Sequence, residues 1–343
     1  MNDSAANSPL PTEATSNAGE PAPLLSISDL TISVPRYGQT PLSVLRGIDL
    51  ELASGEILGL VGESGSGKTM LARGIMQLVS PPARIERGRI VFAGRDLGSL
   101  DAEAQRQLRG SEIAMIISNP RGDLDPLAPV GRQIGDMLRH HMNMDVKTAR
   151  ERALQLLNDV RIPDPQRRLK AYPHELSGGM AQRVVIAIAL ACSPKFIISD
   201  DATSGLDVTV QAQVLELLKG LVSERGAAML FITRDIGIAA HFCHRVAVIY
   251  AGEIVELAPR EKFFETPSHP YSMLLLAAFS QNARLRRHWL KEDEARHATG
   301  QDAGGCAFAG RCVRVQARCR SEHPPLRELK SGHHTRCHFP VEH

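Results

Sequence analysis

The sequence predicts an α/β fold, in which a largely parallel sheet is covered by helices. Two runs, Ile57–Val61 and Phe196–Asp200, have the composition of strands that are buried on both faces. The segments Thr69–Leu78 and Met180–Cys192 have the residue pattern of helices and lie between strand candidates. Strands that alternate with helices along a chain are typical of this fold class.

Other segments extend the same organisation. Leu25–Val34 and Val44–Leu52 alternate apolar and polar residues, as strands with one solvated face do. Ala227–Thr233 and Val246–Tyr250 are further strand candidates. Residues 132–172 combine helix-like periodicity with many charges, which predicts a helical insertion between parts of the sheet.

The composition limits the class of protein. The 343 residues are 43% hydrophobic and 23% charged, which suffices for one large domain with an appendage. The net charge of +2 gives no basic stripe, so we expect no nucleic-acid partner. No run approaches the roughly 18 apolar residues that a membrane span needs, and the start of the chain does not resemble a secretory signal. We therefore expect a cytoplasmic protein that reaches a membrane only through partners.

A phosphate-binding loop is predicted between the first buried run and the helix after it. The segment Gly62–Thr69 fits the pattern G-x-x-x-x-G-K-[ST]. Its glycines let backbone N–H groups turn toward phosphates, Lys68 supplies positive charge, and the Thr69 hydroxyl can bind Mg²⁺. An ordinary glycine–serine turn is the alternative, and the flanking strand and helix disfavour it. The expected nucleotide-binding residues of this loop are Gly62, Ser64, Gly65, Gly67, Lys68 and Thr69.

Motifs after the loop carry a family resemblance. Ser177, Gly178 and Gly179, followed by Met180, resemble the signature motif of ATP-binding cassette (ABC) ATPases. The run ending at Asp200 resembles their Walker B strand, and Ser204-Gly205-Leu206-Asp207 resembles their D-loop. On these motifs, the chain resembles ABC ATPases over roughly residues 24–343.

The C-terminal part of the chain resembles one branch of the ABC family. Ser268-His269-Pro270-Tyr271 and the segment around Cys306 and Cys312 look like the C-terminal extension of oligopeptide/dipeptide and nickel importer ATPases. The resemblance implies an assembly of two ATPase subunits, two transmembrane permeases and an external solute-binding protein. It places this chain at the cytoplasmic face of the inner membrane.

The family's mechanism implies roles for single residues. Two ATPase subunits enclose ATP head to tail, so that the phosphate loop of one faces the signature motif of the other. Ser177 and the N–H groups of Gly178 and Gly179, at a helix N-terminus, suit a γ-phosphate. ATP and Mg²⁺ are the implied ligands, with Asp200 beside Thr69 at the magnesium ion.

These expectations give a domain plan. Residues 1–23 lack hydrophobic periodicity and are expected to be a disordered tail. Residues 24–260 are expected to form a P-loop ABC-type ATPase core, with a helical subdomain at about 118–178. Residues 261–343 are expected to form a Cys-rich C-terminal extension of the peptide-importer type, which holds a metal.

The chain departs from the family pattern at three positions that normally serve catalysis. Asp201 stands where the family has a glutamate that polarises the attacking water, and a displacement of about 1 Å can lower a rate about 10²-fold. Arg234 replaces the switch histidine, and arginine has no lone pair to accept a hydrogen bond. Ser118 replaces the Q-loop glutamine.

These changes suggest an asymmetric pair of sites. We expect this chain's loop to bind ATP but to hydrolyse it slowly, while its signature motif completes the site of a different partner ATPase. Three alternatives remain open at this point. Asp201 still supports hydrolysis, the chain is a non-hydrolysing regulatory subunit, or it is a soluble ABC protein outside transport, which its single cassette and near-neutral charge disfavour.

Two further features are predicted with alternatives. Tyr37 lies roughly where the superfamily stacks an aromatic ring on adenine, and it is equally compatible with a surface turn.

Cys306, Cys312, Cys319 and Cys337 are separated by five, six and seventeen residues, without the C-x₂-C pairs of structural zinc sites. Thiolates suit Zn²⁺ or an iron–sulfur cluster, and the family resemblance favours [4Fe–4S]. A mixed zinc site stays open because histidines lie nearby, at His323, His333, His334 and His338. Unligated thiols are the third interpretation.

Overall fold

The computed structural model describes residues 22–279, 304–330 and 332–341. The predicted disordered tail lies outside the described residues, apart from residues 22 and 23. The strands of the described part are β1 Leu25–Arg36, β2 Gln39–Leu52, β3 Ile57–Val61, β4 Arg84–Phe92, β5 Arg95–Asp96, β6 Ile113–Ile116, β7 Phe196–Asp200, β8 Ala228–Thr233, β9 Arg245–Tyr250, β10 Glu253–Pro259, β11 Arg327–Lys330 and β12 His333–Thr335.

Helices connect these strands. Within the described residues they are α1 Lys68–Ile75, α2 Ala102–Ser111, α3 Pro120–Asp123, α4 Val130–Met142, α5 Val146–Asp159, α6 Pro165–Arg168, α7 Gly178–Ala189, α8 Val208–Arg225, α9 Ile236–Phe242, α10 Arg260–Glu265, α11 Pro270–Phe279 and α12 Ala317–Ser321. None of the described helices is both long and apolar enough to cross a membrane.

The larger sheet confirms the predicted α/β class. Its order is β11-β12-β10-β9-β3-β8-β7-β6, and β9, β3, β8, β7 and β6 run parallel. Strand β3 is buried on both faces, as predicted: Ile57 and Val61 join one hydrophobic core, while Leu58 and Leu60 join the other. Because β3 lies between β9 and β8, it ends in the middle of the sheet. The loop that follows β3 therefore has a neighbouring strand on each side.

A second, antiparallel sheet covers one face of the first. Its order is β2-β1-β4-β5, and it shares a core with the even-numbered residues of β3. The predicted half-buried character of β1 and β2 is confirmed, because alternate residues such as Leu50 and Leu52 are buried between exposed neighbours. Strand β4 was not predicted, since its first six residues are all exposed and four of its nine residues are charged.

The charged segment before the signature motif is helical. Helices α4 and α5 pack against each other and direct Ile134, Leu138, Ala153 and Leu157 into the core that also receives α7. Helix α7 begins at Gly178, two residues before the predicted start, because the side chain of Ser177 caps it. The helix ends at Ala189 rather than Cys192.

The chain after residue 260 is built onto the same body. Strand β12 pairs with β10 and so adds the end of the chain to the edge of the large sheet. Tyr271 of α11 and Phe308 belong to the hydrophobic core of the parallel sheet. The described part of this region thus shares its core with the preceding residues and brings its side chains close to the phosphate-binding loop.

Candidate functional site

The loop between β3 and α1 has the backbone geometry that phosphate binding needs. Gly67, the residue before α1, has φ = 111°, a conformation that L side chains rarely adopt. A Cβ on Gly62 would lie 2.2 Å from the carbonyl oxygen of Ile249 in the neighbouring strand β9. Glycine is therefore required at both positions for steric reasons, and the loop is held tightly against the sheet.

Lys68 occupies the centre of the loop. Its ammonium group donates hydrogen bonds to the carbonyl oxygens of Gly62 (2.8 Å) and Glu63 (2.7 Å) and to the Ser66 hydroxyl (3.3 Å). Burial lowers the pKa of Lys68, the charge of Asp200 opposes that shift, and smaller effects come from Arg234, Asp201 and Glu63. The lysine is thus placed with its charge directed into the loop, where phosphate oxygens can replace the carbonyl partners.

One cavity collects most of the residues predicted from the sequence. It has a volume of about 370 Å³ and is open to solvent. Ser64, Gly65, Gly67, Lys68, Thr69, Asp200, Asp201, Ser118 and Arg234 line it, together with Val44, Met70, Ile232 and Thr233. Residues from the ends of β3, β6, β7 and β8 therefore meet at one edge of the sheet, as expected for the carboxyl ends of parallel strands.

Asp200 lies where its carboxylate can bind a cation. It is the last residue of β7, and the Thr69 hydroxyl lies beside its carboxylate. Burial raises its pKa, the neighbouring Thr69 hydroxyl opposes that shift, and the charge of Asp201 raises the pKa further. A carboxylate and a hydroxyl side by side are oxygen ligands of the type that Mg²⁺ accepts.

Asp201 and Arg234, two of the three altered positions, pair with each other across the cavity. The Arg234 guanidinium donates to the same carboxylate oxygen of Asp201 through Nη2 (2.9 Å) and Nε (3.2 Å). Asp201 has φ = 53°, the left-handed region that aspartate tolerates better than most residues. The third altered position, Ser118, is exposed just beyond β6 and lines the same cavity.

The signature motif lies apart from this cavity within the chain. The Ser177 hydroxyl accepts a hydrogen bond from the N–H of Met180 (3.3 Å), and Gly178 and Gly179 form the first turn of α7. A separate depression is lined by these residues and by Gly205, Leu206 and Asp207. None of them lines the phosphate cavity, so the two motifs do not form a common site within one chain.

Tyr37 lies at the turn between β1 and β2. Its side chain is fully exposed, and it does not line the phosphate cavity. Its predicted contact with adenine therefore stays a prediction.

The four C-terminal cysteines line a common cavity. Cys306, Cys312, Cys319 and Cys337 surround it together with His269, Phe308 and other residues, and none of the four forms a disulfide. Burial raises the pKa of Cys306 to about 11 and that of Cys312 to about 12, and charge on neighbouring cysteines adds to both shifts. In the described part of the chain, however, no three Cys, His, Asp or Glu side chains converge as ligands of a single metal ion.

Contacts between the end of the chain and the phosphate loop were missed by the sequence reasoning. Arg311 forms two hydrogen bonds of 2.9 Å to the carboxylate of Glu63, and the Tyr271 hydroxyl accepts a hydrogen bond from the Glu63 N–H (3.0 Å). Glu63 and Arg311 are 248 positions apart in the sequence, so no local pattern could signal the pair. Only the acidic residue inside the loop could have suggested a cationic partner.

The fold and the site define a nucleotide-binding α/β protein with a phosphate loop. Two family models match the sequence: "ABC transporter" over residues 45–204, and "Oligopeptide/dipeptide transporter, C-terminal region" over residues 255–319. The chain is 38% identical to the dipeptide transport ATP-binding protein DppD of Escherichia coli K12 over 321 residues, which cover 93% of this chain and 97% of DppD. It is 46% identical to the oligopeptide transport ATP-binding protein OppD of Bacillus subtilis 168 over 256 residues, 74% of this chain and 71% of OppD.

A solved structure agrees with these matches. The dimeric ATP-binding cassette MJ0796 bound to ADP and Pi superposes with a TM-score of 0.62 at 26% identity, over 69% of this chain and 98% of that one. The chain therefore belongs to the ABC transporter ATP-binding proteins, a family of ATPases, and carries the C-terminal region of the oligopeptide/dipeptide group.

Proposed function

We propose that this chain is an ATP-binding subunit of a peptide-type importer, in which it pairs with a second, different ATPase subunit. Its relatives DppD and OppD are named for dipeptide and oligopeptide transport, and its C-terminal region matches the model of that group. Two transmembrane permeases and an external solute-binding protein complete the proposed assembly. The subunit then lies peripherally at the cytoplasmic face of the membrane.

The domain plan follows from the same proposal. Residues 24–260 act as the ATPase domain, with the helical subdomain at about 118–178 between the sheet and the signature motif. Residues 261–343 act as the peptide-importer extension. The shared core of Tyr271 and Phe308 with the parallel sheet supports an extension that is packed on the ATPase domain.

The proposal assigns ATP and Mg²⁺ to the cavity at the end of β3. The loop geometry, the inward ammonium group of Lys68 and the proximity of Thr69 to Asp200 support binding. Lys68 then contacts the terminal phosphates, while Thr69 and Asp200 hold the magnesium ion. These groups bind and orient the nucleotide, and their arrangement does not depend on the three altered positions.

The ion pair between Arg234 and Asp201 is the observation that carries the proposal of slow hydrolysis. A general base must accept a proton from water within hydrogen-bond reach. Here one oxygen of Asp201 already accepts two hydrogen bonds from a permanent cation, which makes the carboxylate a weaker acceptor for water. Arg234 cannot take over the role, because a guanidinium group has no acceptor.

The signature motif then serves the partner. Ser177, Gly178 and Gly179 lie on a depression of their own, which suits a nucleotide carried by another subunit. Two identical copies of this chain would combine two slow sites. A heterodimer gives one fast site, formed by the partner's phosphate loop and this chain's signature motif.

The test replaces one phosphate-loop lysine at a time in the purified complex. We expect Lys68→Ala to reduce steady-state ATP turnover much less than the corresponding lysine change in the partner. Replacement of Ser177 in this chain should abolish turnover, because it removes a contact to the partner's nucleotide. A complex that keeps its turnover without Ser177 would overturn the proposed role of the signature motif.

We also propose that the cysteine cavity holds a [4Fe–4S] cluster. Four thiols in one apolar cavity supply one ligand for each iron, so they need not converge on one point, in contrast to the ligands of a zinc ion. The family resemblance favours the same assignment. When bound, the cluster would hold together residues that are far apart in sequence, and the proposal assigns no redox reaction to it.

Iron and acid-labile sulfide in the anaerobically purified full-length chain test this assignment. About four of each per chain are expected, with loss of both on Cys306→Ser. Stoichiometric zinc without sulfide, or no metal at all, would refute the cluster.

A further inference from the structure

Arg311 is a partly buried cation that reaches from the cysteine-bearing segment to the phosphate loop. Its side chain is only 14% exposed, and it makes two parallel hydrogen bonds of 2.9 Å to the two carboxylate oxygens of Glu63. Its guanidinium carbon lies 5.6 Å from the ring centre of Tyr250 and 5.7 Å from that of Phe308. Such bidentate and aromatic contacts fix the direction of an arginine better than a surface ion pair does.

Glu63 is held through its backbone as well. Its N–H donates to the hydroxyl of Tyr271, a fully buried residue of α11, at 3.0 Å. Its carbonyl oxygen accepts from the ammonium group of Lys68 at 2.7 Å. Tyr271 and Arg311, both from the C-terminal region, therefore contact Glu63, one of the loop residues that bind the ammonium group of Lys68.

The charge of Glu63 makes this contact important for an anionic ligand. The Glu63 side chain is 43% exposed, and its negative charge slightly opposes the lowering of the Lys68 pKa by burial. An acidic group next to a phosphate site repels the nucleotide unless a cation compensates it. Arg311 is the cation in bidentate contact with it.

We propose that Arg311 is a positioning residue for nucleotide binding, which neutralises Glu63 and fixes the conformation of the phosphate loop. The segment from Cys306 to Cys312 thereby sets the affinity of this chain for ATP. This inference rests on the proposed binding of ATP at Lys68, but not on slow hydrolysis or on the cluster.

The test is a double-mutant cycle on the full-length chain, with the dissociation constant of a fluorescent ATP analogue in the presence of Mg²⁺ as the readout. Arg311→Gln should raise this constant by about three- to tenfold, the range of half-buried ion pairs. The same change in a Glu63→Gln background should have no effect, because the charge that Arg311 compensates is gone. A purely structural role of Arg311 would weaken binding in both backgrounds.

Arg318→Gln is the matched control. Arg318 also precedes a cysteine and also makes a bidentate pair, with Glu322, but this pair does not contact the loop. The control should bind the analogue as wild type does. If Arg311→Gln does not fold, Arg311→Lys carries the same cycle with a smaller effect, because lysine keeps the charge and loses the two-fold contact.

Two results would overturn the inference: unchanged affinity in Arg311→Gln, or an equal loss with and without Glu63. Failure of the proposed function looks different. In that case wild type and Lys68→Ala both fail to bind the analogue.

Discussion

Arg234 and Asp201 form an ion pair of 2.9 Å at the edge of the phosphate cavity, where both depart from the residues that the ABC family resemblance leads one to expect. The two substitutions are therefore structurally coupled. Asp201 without Arg234 would be a free carboxylate, and Arg234 without Asp201 would be an uncompensated cation beside Lys68.

Restoring both family residues should restore hydrolysis. We expect Asp201→Glu together with Arg234→His to raise the turnover of this chain's site by about tenfold or more, a modest part of the 10²–10⁴ that a general base supplies. Either change alone should give less, because glutamate would still pair with arginine, and histidine would still face a shorter carboxylate. The measurement is ATPase activity in a complex whose partner lacks its phosphate-loop lysine. No gain from the double variant would contradict the coupling.

Binding should depend on the loop and not on the altered residues. We expect Lys68→Ala to abolish measurable binding of Mg·ATP, whereas Arg234→Ala should leave the dissociation constant within about tenfold of wild type. Lys195→Ala, a change at an exposed lysine paired with Glu112, is the control for loss of a cation. Equal losses in Lys68→Ala and Arg234→Ala would show that the arginine is a principal phosphate ligand.

The glycine at the start of the loop should be required for stability. A Cβ on Gly62 would lie 2.2 Å from the Ile249 carbonyl oxygen, so Gly62→Ala should lower the free energy of unfolding by about 1–3 kcal/mol. Gly220→Ala is the matched control, because it lies on the exposed face of α8 with no atom within 4 Å of the added carbon. The control should be neutral or stabilising by up to about 1 kcal/mol. Chemical denaturation of both variants distinguishes the two outcomes.

The signature serine should act on the partner's site and not only on helix stability. Ser177→Ala removes a helix cap, at about 1 kcal/mol, and should abolish turnover of the complex. Asp145→Ala removes a comparable cap from α5, where the aspartate accepts from the N–H groups of Lys147 and Thr148. It should lower stability similarly but leave turnover intact. A similar loss of turnover in both variants would show that Ser177 acts only through the stability of its helix.

Local sequence signals predicted the central part of the fold. The apolar runs of β3 and β7 and the glycine pattern of the loop carry their signal within a few residues, and their placement was confirmed. Strand β4 has exposed charged residues, and its position depends on pairing with β1, which is a non-local contact. The joining of β12 to β10 spans most of the C-terminal region and could not be inferred from three residues.

The candidate site could likewise be predicted only in part from the sequence. The cavity brings together the phosphate loop, Asp200 and all three altered positions, which the motif order had suggested. The contact of Arg234 with Asp201 could not be predicted, because motif spacing gives residue types but not side-chain directions. The contact of Arg311 with Glu63 depends on how the C-terminal region packs on the sheet.

The most direct test of slow hydrolysis is a single-turnover measurement on the complex whose partner lacks its phosphate-loop lysine. Radiolabelled ATP is bound, the reaction is quenched over time, and the bound nucleotide is analysed. We expect the nucleotide held by this chain to remain ATP long after the intact complex has completed its turnover. Conversion to ADP at the rate of the intact complex would contradict the account, because it would show that Asp201 supports hydrolysis despite its ion pair with Arg234.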